Sequence, residues 1–271
     1  MATNQGLTET ELATTENNQQ TADAQTASKT AVQTKRIIWI TGGKGGTGKS
    51  TFARGLLDTL RAAGIKVVAF DGDPDNSQLF RFYRHADVTV MRIPIHKRSG
   101  ADDIITEMEE AQTPIIIVDV PAGGGHLLAG LEDEVGFLSA LEEVGYHMTL
   151  VTVLSRIKDS LNQLKLAMDV TEGYNNIAHV AVKNLYYGEA HKFRFLERSK
   201  TKQRLLAIGG VEVEMADLYE DTYELVDEAD SSFLAAIQSD SELPKPDVRR
   251  LKQWLRHFEK QVRSAEGVLG L

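Results

Sequence analysis

Residues 43–50 read GKGGTGKS and fit the pattern G-x-x-x-x-G-K-[ST] at every defined position. Glycines at these positions let backbone N–H groups turn toward one point and surround phosphate oxygens. Lys49 is then expected to reach the terminal phosphates, and the Ser50 hydroxyl to bind Mg²⁺. The residues predicted to contact a nucleotide here are Gly43, Lys44, Gly45, Gly46, Thr47, Gly48, Lys49, Ser50 and Thr51. The spacing therefore predicts a magnesium–nucleotide site.

Three aspartates follow apolar segments further along the chain. Asp71 and Asp73 are two residues apart in a loop, so their carboxylates can face a metal-bound water and an attacking water together. Asp119 follows the apolar residues Ile115–Val118 and is expected to hold Mg²⁺ through water. The simpler interpretations are an acidic turn for the first pair and a buried strand with an incidental aspartate for Asp119.

A second lysine, Lys44, lies inside the same loop, where phosphate binding does not require it. It is either a solvated charge or a cation that crosses to a nucleotide held by a second subunit. In the second case it would act in trans, as an arginine finger does.

The string KGGTGKST, Lys44–Thr51, resembles the deviant Walker A motif of the ParA/MinD family of ATPases. The resemblance implies that ATP and Mg²⁺ are the cofactors and that ATP drives formation of a homodimer. It makes Lys44 the signature lysine and Lys49 the ordinary phosphate-loop lysine. The catalytic residues are then expected to be Lys44, Lys49 and Asp73.

The same resemblance gives roles to residues outside the phosphate loop. DGDPDNSQ is similar to the family's D-x-D-P-Q segment, which assigns Asp73 to water positioning and Asp71 to outer-sphere contact with Mg²⁺. Asp75 stands where the family commonly has Gln. Asn184 occupies the place of an adenine-recognising Asn in relatives resembling MinD, although an Asn at this point is also an ordinary turn former.

Buried strands and amphipathic helices alternate along the chain and must position these groups. Such alternation predicts an α/β fold with a mostly parallel sheet and helices on both faces. The predicted strands are Lys35–Thr41, Lys66–Asp71, Pro114–Val120, His147–Leu154 and Ile177–Asn184. The predicted helices are Ser50–Ala63, Ala101–Ala111, His126–Glu143, Ile157–Thr171 and Asp247–Ser264. The candidate site residues follow the carboxyl ends of strands, where ligands bind in such sheets.

Composition limits the remaining possibilities. The 271 residues carry 30 basic and 39 acidic side chains, a formal net charge of −9, which argues against a wholesale polyanion binder but allows a local basic patch. The absence of cysteine excludes disulfides and thiolate metal sites. No signal peptide or long apolar run is recognisable, so a cytoplasmic location is expected. Residues 1–34 are predicted to be a disordered tail, and residues 35–271 the ATPase domain.

The predicted C-terminal helix 247–264 is basic around an apolar face. Three interpretations are open: a helix docked on the domain with a solvated basic face, non-specific DNA binding through phosphates, and membrane-surface binding, which ranks last. A second segment, His191–Phe195, mixes basic and aromatic residues and suits nucleic acid, a partner or the core.

Family resemblance and composition together suggest a function. We expect an ATP-dependent dimerising switch in plasmid or DNA partition or in conjugative transfer, with a separate partner protein that stimulates hydrolysis. The alternatives are a membrane-associated positioning ATPase similar to MinD and a metabolic ATP-dependent synthetase of the same fold.

Overall fold

The computed structural model describes residues 1, 34–74 and 76–271. The predicted tail, apart from its two end residues, and the unusual Asp75 therefore lie outside the described residues.

A seven-stranded sheet, parallel at every paired edge, has the strand order β3-β2-β4-β1-β5-β6-β7. Its strands are β1 (Arg36–Gly42), β2 (Val67–Asp71), β3 (Thr89–Arg92), β4 (Ile115–Asp119), β5 (His147–Leu154), β6 (Ile177–Asn184) and β7 (Val211–Met215). Every residue of β1, β2 and β4 is buried, because helices cover both faces of the sheet centre. The predicted α/β fold is confirmed.

Both edge strands were absent from the sequence prediction. β3 has only four residues, all exposed or half-buried. β7, VEVEM, alternates apolar and acidic side chains, the pattern of a half-buried strand, and its alternation was the signal that should have revealed it.

Helices pack on both sides of the sheet. They are α1 (Lys49–Ala62), α2 (Gln78–Tyr83), α3 (Asp102–Thr106), α4 (Gly124–Val135), α5 (Phe137–Glu143), α6 (Lys158–Val170), α7 (Arg194–Glu197), α8 (Lys200–Ala207), α9 (Glu220–Glu228), α10 (Lys245–Arg263) and α11 (Glu266–Leu269). One core joins α1, α2, α9 and α10 to one sheet face. A second core joins α3, α4, α5 and part of α6 to the other face.

Two predicted helices are wrong in detail. The segment His126–Glu143 forms two helices, because Gly136 has φ of 62° and ends α4 before α5 begins. The segment Ala101–Ala111 contains only the short α3, preceded by a 3₁₀ turn and followed by a π-helical turn, Glu107–Ala111.

The long helix α10 has its apolar stripe inside the core. Leu251, Trp254, Phe258 and Val262 are all buried there. The Trp254 ring stacks on Phe258 with centroids 5.1 Å apart, and its indole N–H donates to the Ala216 carbonyl at 2.7 Å. The apolar face is therefore occupied by packing within the domain. Across the described ranges, no helix combines the length and the apolar character needed to cross a membrane.

Candidate functional site

The phosphate loop, Gly43–Ser50, joins the carboxyl end of β1 to the start of α1. Gly46 and Gly48 have φ of 77° and 93°, a left-handed conformation that side chains rarely adopt. A Cβ at Gly48 would also lie 2.4 Å from the amide nitrogen of Asn184. Glycine is therefore required at position 48 by both conformation and space.

Two side chains from the end of β6 hold the outer side of this loop. The Asn184 amide donates to the Thr47 carbonyl at 2.9 Å, and the Tyr187 hydroxyl donates to the Gly46 carbonyl at 2.6 Å. We call Asn184 and Tyr187 the loop clamp. By engaging two carbonyls, the clamp supports the conformation of the loop.

Asn184 thus has a role in the loop that the sequence did not indicate. Its side-chain oxygen also accepts from the Tyr186 N–H at 3.1 Å. An amide has two donor hydrogens and two acceptor lone pairs, so one of each remains for a base edge. Recognition of adenine by Asn184 stays a prediction.

Asp119 lies beside Asp71 at the ends of adjacent strands and is buried behind the phosphate loop. Burial raises the pKa of the Asp119 carboxyl to about 7; the Ser50 hydroxyl and Lys49 oppose this rise, and the charge of Asp71 adds to it. Ser50 is close enough to act on this pKa, yet neither carboxylate oxygen has a hydrogen-bond partner of normal geometry within residues 34–74 and 76–271.

A buried carboxylate with vacant oxygens next to a serine hydroxyl fits a hydrated Mg²⁺ ion. Within the part of the chain that the structure describes, no group of three His, Asp or Glu side chains is arranged to bind a metal by itself. Magnesium in phosphate-transfer sites is normally held by few protein groups together with nucleotide phosphates and water. Ser50 and Asp119 are therefore the residues that would hold it.

Asp71 organises the segment that carries Asp73. Its two carboxylate oxygens accept backbone N–H groups of Asp73, at 3.2 Å, and of Phe80, at 2.9 Å. Burial raises the pKa of Asp71 to about 6, and these backbone hydrogen bonds limit the rise. The predicted outer-sphere contact of Asp71 with Mg²⁺ stays a prediction, whereas its anchoring of the loop and of α2 is a feature that sequence reasoning missed.

Lys44 lies at the rim of the site. Its side chain is 65% exposed, and its ammonium group pairs with the Asp159 carboxylate of α6 at 2.8 Å. A pair with both members exposed contributes about 0–1 kcal/mol, so Lys44 can change partners at little cost.

A cavity of about 940 Å³ opens above the phosphate loop. The predicted residues that line it are Gly45, Gly46, Gly48, Lys49, Ser50, Thr51, Asp73 and Asn184. Its opposite side was not foreseen from the sequence. There, α9 and the segment before it contribute Asp217, Glu220, Glu224 and Glu228, which we call the acidic wall.

The cavity side formed by α9 is tied to α1 through Arg54. This side chain has no exposed surface, and its guanidinium carbon lies 3.5 Å from the Phe82 ring centroid and 4.2 Å from that of Phe233. It donates to the Ser231 carbonyl at 3.2 Å and to the hydroxyl of Tyr223, a cavity residue, at 3.5 Å. A buried cation among aromatic rings thus links the helix after the phosphate loop to the far side of the cavity.

Comparison with known proteins gives consistent matches. Residues 38–270 match the family model described as the CobQ/CobB/MinD/ParA nucleotide binding domain. Protein MobD of Acidithiobacillus ferrooxidans is 25% identical over 235 residues, which cover 87% of this chain and 98% of that protein. The MinD cell division protein of Aquifex aeolicus has a similar fold, with a TM-score of 0.50, 15% identity and coverage of 86% of this chain and 97% of that chain. The septum site-determining protein MinD of Pyrococcus horikoshii, complexed with Mg-ADP, matches with a TM-score of 0.47, 18% identity and coverage of 87% and 98%.

Proposed function

The chain belongs to the CobQ/CobB/MinD/ParA family of nucleotide-binding domains, and on that premise we propose that it is a Mg²⁺-dependent ATPase that acts as a dimerising switch in DNA partition or conjugative transfer. The observation that supports this most directly is the phosphate loop, which is held in shape by the loop clamp at the base of a cavity large enough for a nucleotide.

In this proposal the triphosphate lies along the loop, with Lys49 on its terminal phosphates. Magnesium, held by Ser50 and through water by Asp119, would neutralise charge on the phosphate oxygens. Asp73, which lines the same cavity, orients the attacking water in line with the terminal phosphate. Adenine lies toward Asn184.

Dimerisation is assigned to Lys44. The Lys44 side chain is exposed and its pair with Asp159 is weak, which supports a change of partner. The ammonium group would leave Asp159 and contact the nucleotide bound by a second copy. The expected dimer then forms only when a triphosphate is present in both sites, because the cation needs the terminal phosphate as its partner.

DNA binding is assigned to the outer side of α10. Its exposed basic residues are Lys245, Arg249, Arg250, Lys252, Arg256, Lys260 and Arg263. Such a stripe suits sequence-independent contact with phosphates. A MinD-like membrane role is less well supported, because the apolar face of α10 is buried in the core. A partner protein that stimulates hydrolysis remains part of the proposal.

Light scattering after size exclusion tests the switch, with Mg·ADP, Mg·ATP and Mg·ATP plus double-stranded DNA as the three conditions. We expect a monomer in ADP, a dimer in ATP and a DNA-bound dimer in the third. Lys44→Ala should bind ATP as the wild type does yet stay monomeric, and Lys66→Ala, at the other end of the sheet, is the matched control. A wild-type protein that remains monomeric in saturating Mg·ATP would refute the proposal.

A further inference from the structure

An exposed basic and apolar surface lies beside the phosphate loop and has no place in the function proposed above. It consists of Arg156 and Ile157 just before α6, of Lys158 at the first position of α6, and of Lys192 and Phe195 after β6; we call it the basic patch. Ile157 and Phe195 are 48% and 49% exposed. Within the described ranges, none of its three cations forms an ion pair.

The members of the basic patch are contiguous. The Lys158 ammonium group lies 5.5 Å from the Phe195 ring centroid, and Ile157 and Phe195 line one shallow groove. Arg156 and Lys192 flank Gly188, since a Cβ placed there would come within 3.6 Å of both side chains. Apolar side chains surrounded by cations are typical of a binding surface.

The patch borders the rim of the nucleotide site. Asp159, which pairs with Lys44, follows Lys158 directly, and Tyr187 of the loop clamp precedes Gly188. Any partner seated on the patch would therefore contact the surroundings of Lys44.

The acidic wall lies on the other side of the phosphate loop. Glu220, Glu224 and Glu228 are spaced four residues apart, so they share one side of α9 and face the cavity. Partial burial, together with the charge of Glu220, raises the pKa of Asp217, as expected where negative charges are crowded. Across residues 34–74 and 76–271, no member of the wall has an ion-pair partner, although Asp227 nearby pairs with Arg81 at 2.5 Å.

These two surfaces lie on opposite faces of the sheet. Val226 of α9 belongs to the core on the α1 side, whereas Ala167 of α6 belongs to the core on the opposite side. The phosphate loop lies between them at the carboxyl edge. In a two-fold dimer whose axis passes near Lys44 of each copy, the basic patch of one copy can face the acidic wall of the other.

Resting on the dimer proposed above, we infer that the basic patch binds the acidic wall of a second copy of this chain. Opposite charges would then meet at both symmetry-related contacts, and Ile157 and Phe195 would be covered between them. Contact between the two surfaces also explains why the carboxylates of the acidic wall line a cavity expected to receive a nucleotide. The cations of the second copy would offset the negative charge of these carboxylates.

A charge-swap experiment tests this interface in the full chain. One variant is Arg156→Glu with Lys158→Glu, and the other is Glu220→Lys with Glu224→Lys. Each alone should have a dimer dissociation constant raised about tenfold or more in saturating Mg·ATP, because like charges then face each other. Calorimetry fixes the ATP concentration that saturates each variant, since Glu220 and Glu224 line the cavity and their replacement changes the nucleotide affinity. An equimolar mixture should regain the dimer as a mixed species, detected by native mass spectrometry. Lys252→Glu with Lys260→Glu, on the outer side of α10, is the matched control and should dimerise normally.

The possible outcomes separate this inference from the proposed switch. Wild-type protein that is monomeric in Mg·ATP would overturn both. A wild-type dimer with unaffected single variants, or a mixture that does not recover, would overturn the interface alone. The interface is also overturned if the basic-patch variant dimerises normally but no longer binds a single-stranded oligonucleotide. That result would assign the patch to nucleic-acid binding.

Discussion

Lys49 is the residue whose loss we expect to weaken nucleotide binding most. It is 7% exposed at the base of the cavity, close enough to Asp119 to act on the pKa of that carboxyl, so its charge is held where terminal phosphates are expected. Its burial and its position both predict a large and specific loss of nucleotide affinity when the ammonium group is removed.

We expect Lys49→Ala to weaken binding of Mg·ATP by about 2–5 kcal/mol, the usual cost of removing one member of a buried charge pair. This corresponds to a loss in affinity of about 30-fold or more. Isothermal titration calorimetry measures it, with circular dichroism to show that the variant is folded. An affinity within about threefold of the wild type would contradict the assignment of the phosphate loop.

We expect replacement of Asp73 to separate nucleotide binding from hydrolysis. Its N–H donates to Asp71, and its carboxylate accepts the Asn76 N–H at 3.1 Å, so the residue is held at the cavity edge by its own loop. We expect Asp73→Ala to bind ATP and form the dimer yet lose at least about 100-fold in turnover, because general-base or water-orienting groups contribute about that much. Phosphate-release kinetics and light scattering on the same sample measure both; undiminished turnover would remove Asp73 from the mechanism.

At the scale of elements, the sequence predicted those strands whose apolar runs are buried on both faces. The five predicted strands, and their carboxyl-end loops, are present in the structure. The edge strands β3 and β7 could not be found in this way, because burial on one side gives short or alternating patterns. The acidic wall was missed for a related reason: α9 reaches the cavity only through tertiary packing, which local spacing does not reveal.

The contact between α1 and α10 gives an element-scale prediction. Gly55 of α1 faces Phe258, and a Cβ there would lie 2.8–3.0 Å from three ring atoms. We expect Gly55→Ala to lower the free energy of unfolding by about 1–3 kcal/mol, because the ring is buried and cannot move aside. Chemical denaturation measures the change.

Gly130→Ala in α4 is the matched control, because a Cβ there has no neighbour within 4 Å. Alanine is the better helix former at such a position, so this variant should be more stable by up to about 1 kcal/mol. If Gly55→Ala proves as stable as Gly130→Ala, the close packing of α10 on α1 is wrong.

At the scale of the whole molecule, one buried carboxylate links folding stability to pH. The pKa of Asp119 is raised from 3.8 to about 7 in the folded protein, so the fold binds this proton more tightly than the unfolded chain does. The contribution of Asp119 to wild-type stability must therefore fall as pH rises from about 4 to about 7. Asp58 and Asp71, whose pKa values burial raises to about 6, act in the same direction.

Asp119→Asn isolates this effect, because asparagine stays neutral. Without nucleotide, we expect the variant to melt several degrees above the wild type at about pH 8 and close to it at about pH 4.5. Differential scanning calorimetry at the two pH values makes the comparison. If the difference in melting temperature between the variant and the wild type is the same at both pH values, ionisation of Asp119 carries no desolvation cost.

The loop clamp has a kinetic consequence. Since Asn184 and Tyr187 hold the carbonyls of Thr47 and Gly46, we expect the entropy of ordering the loop to be lost when the chain folds and not when a nucleotide binds. Nucleotide should then bind without a preceding rearrangement of the loop, at a rate set by diffusion into the cavity and by orientation there. In the proposed cycle, the slow steps are then expected to be subunit association, hydrolysis and product release.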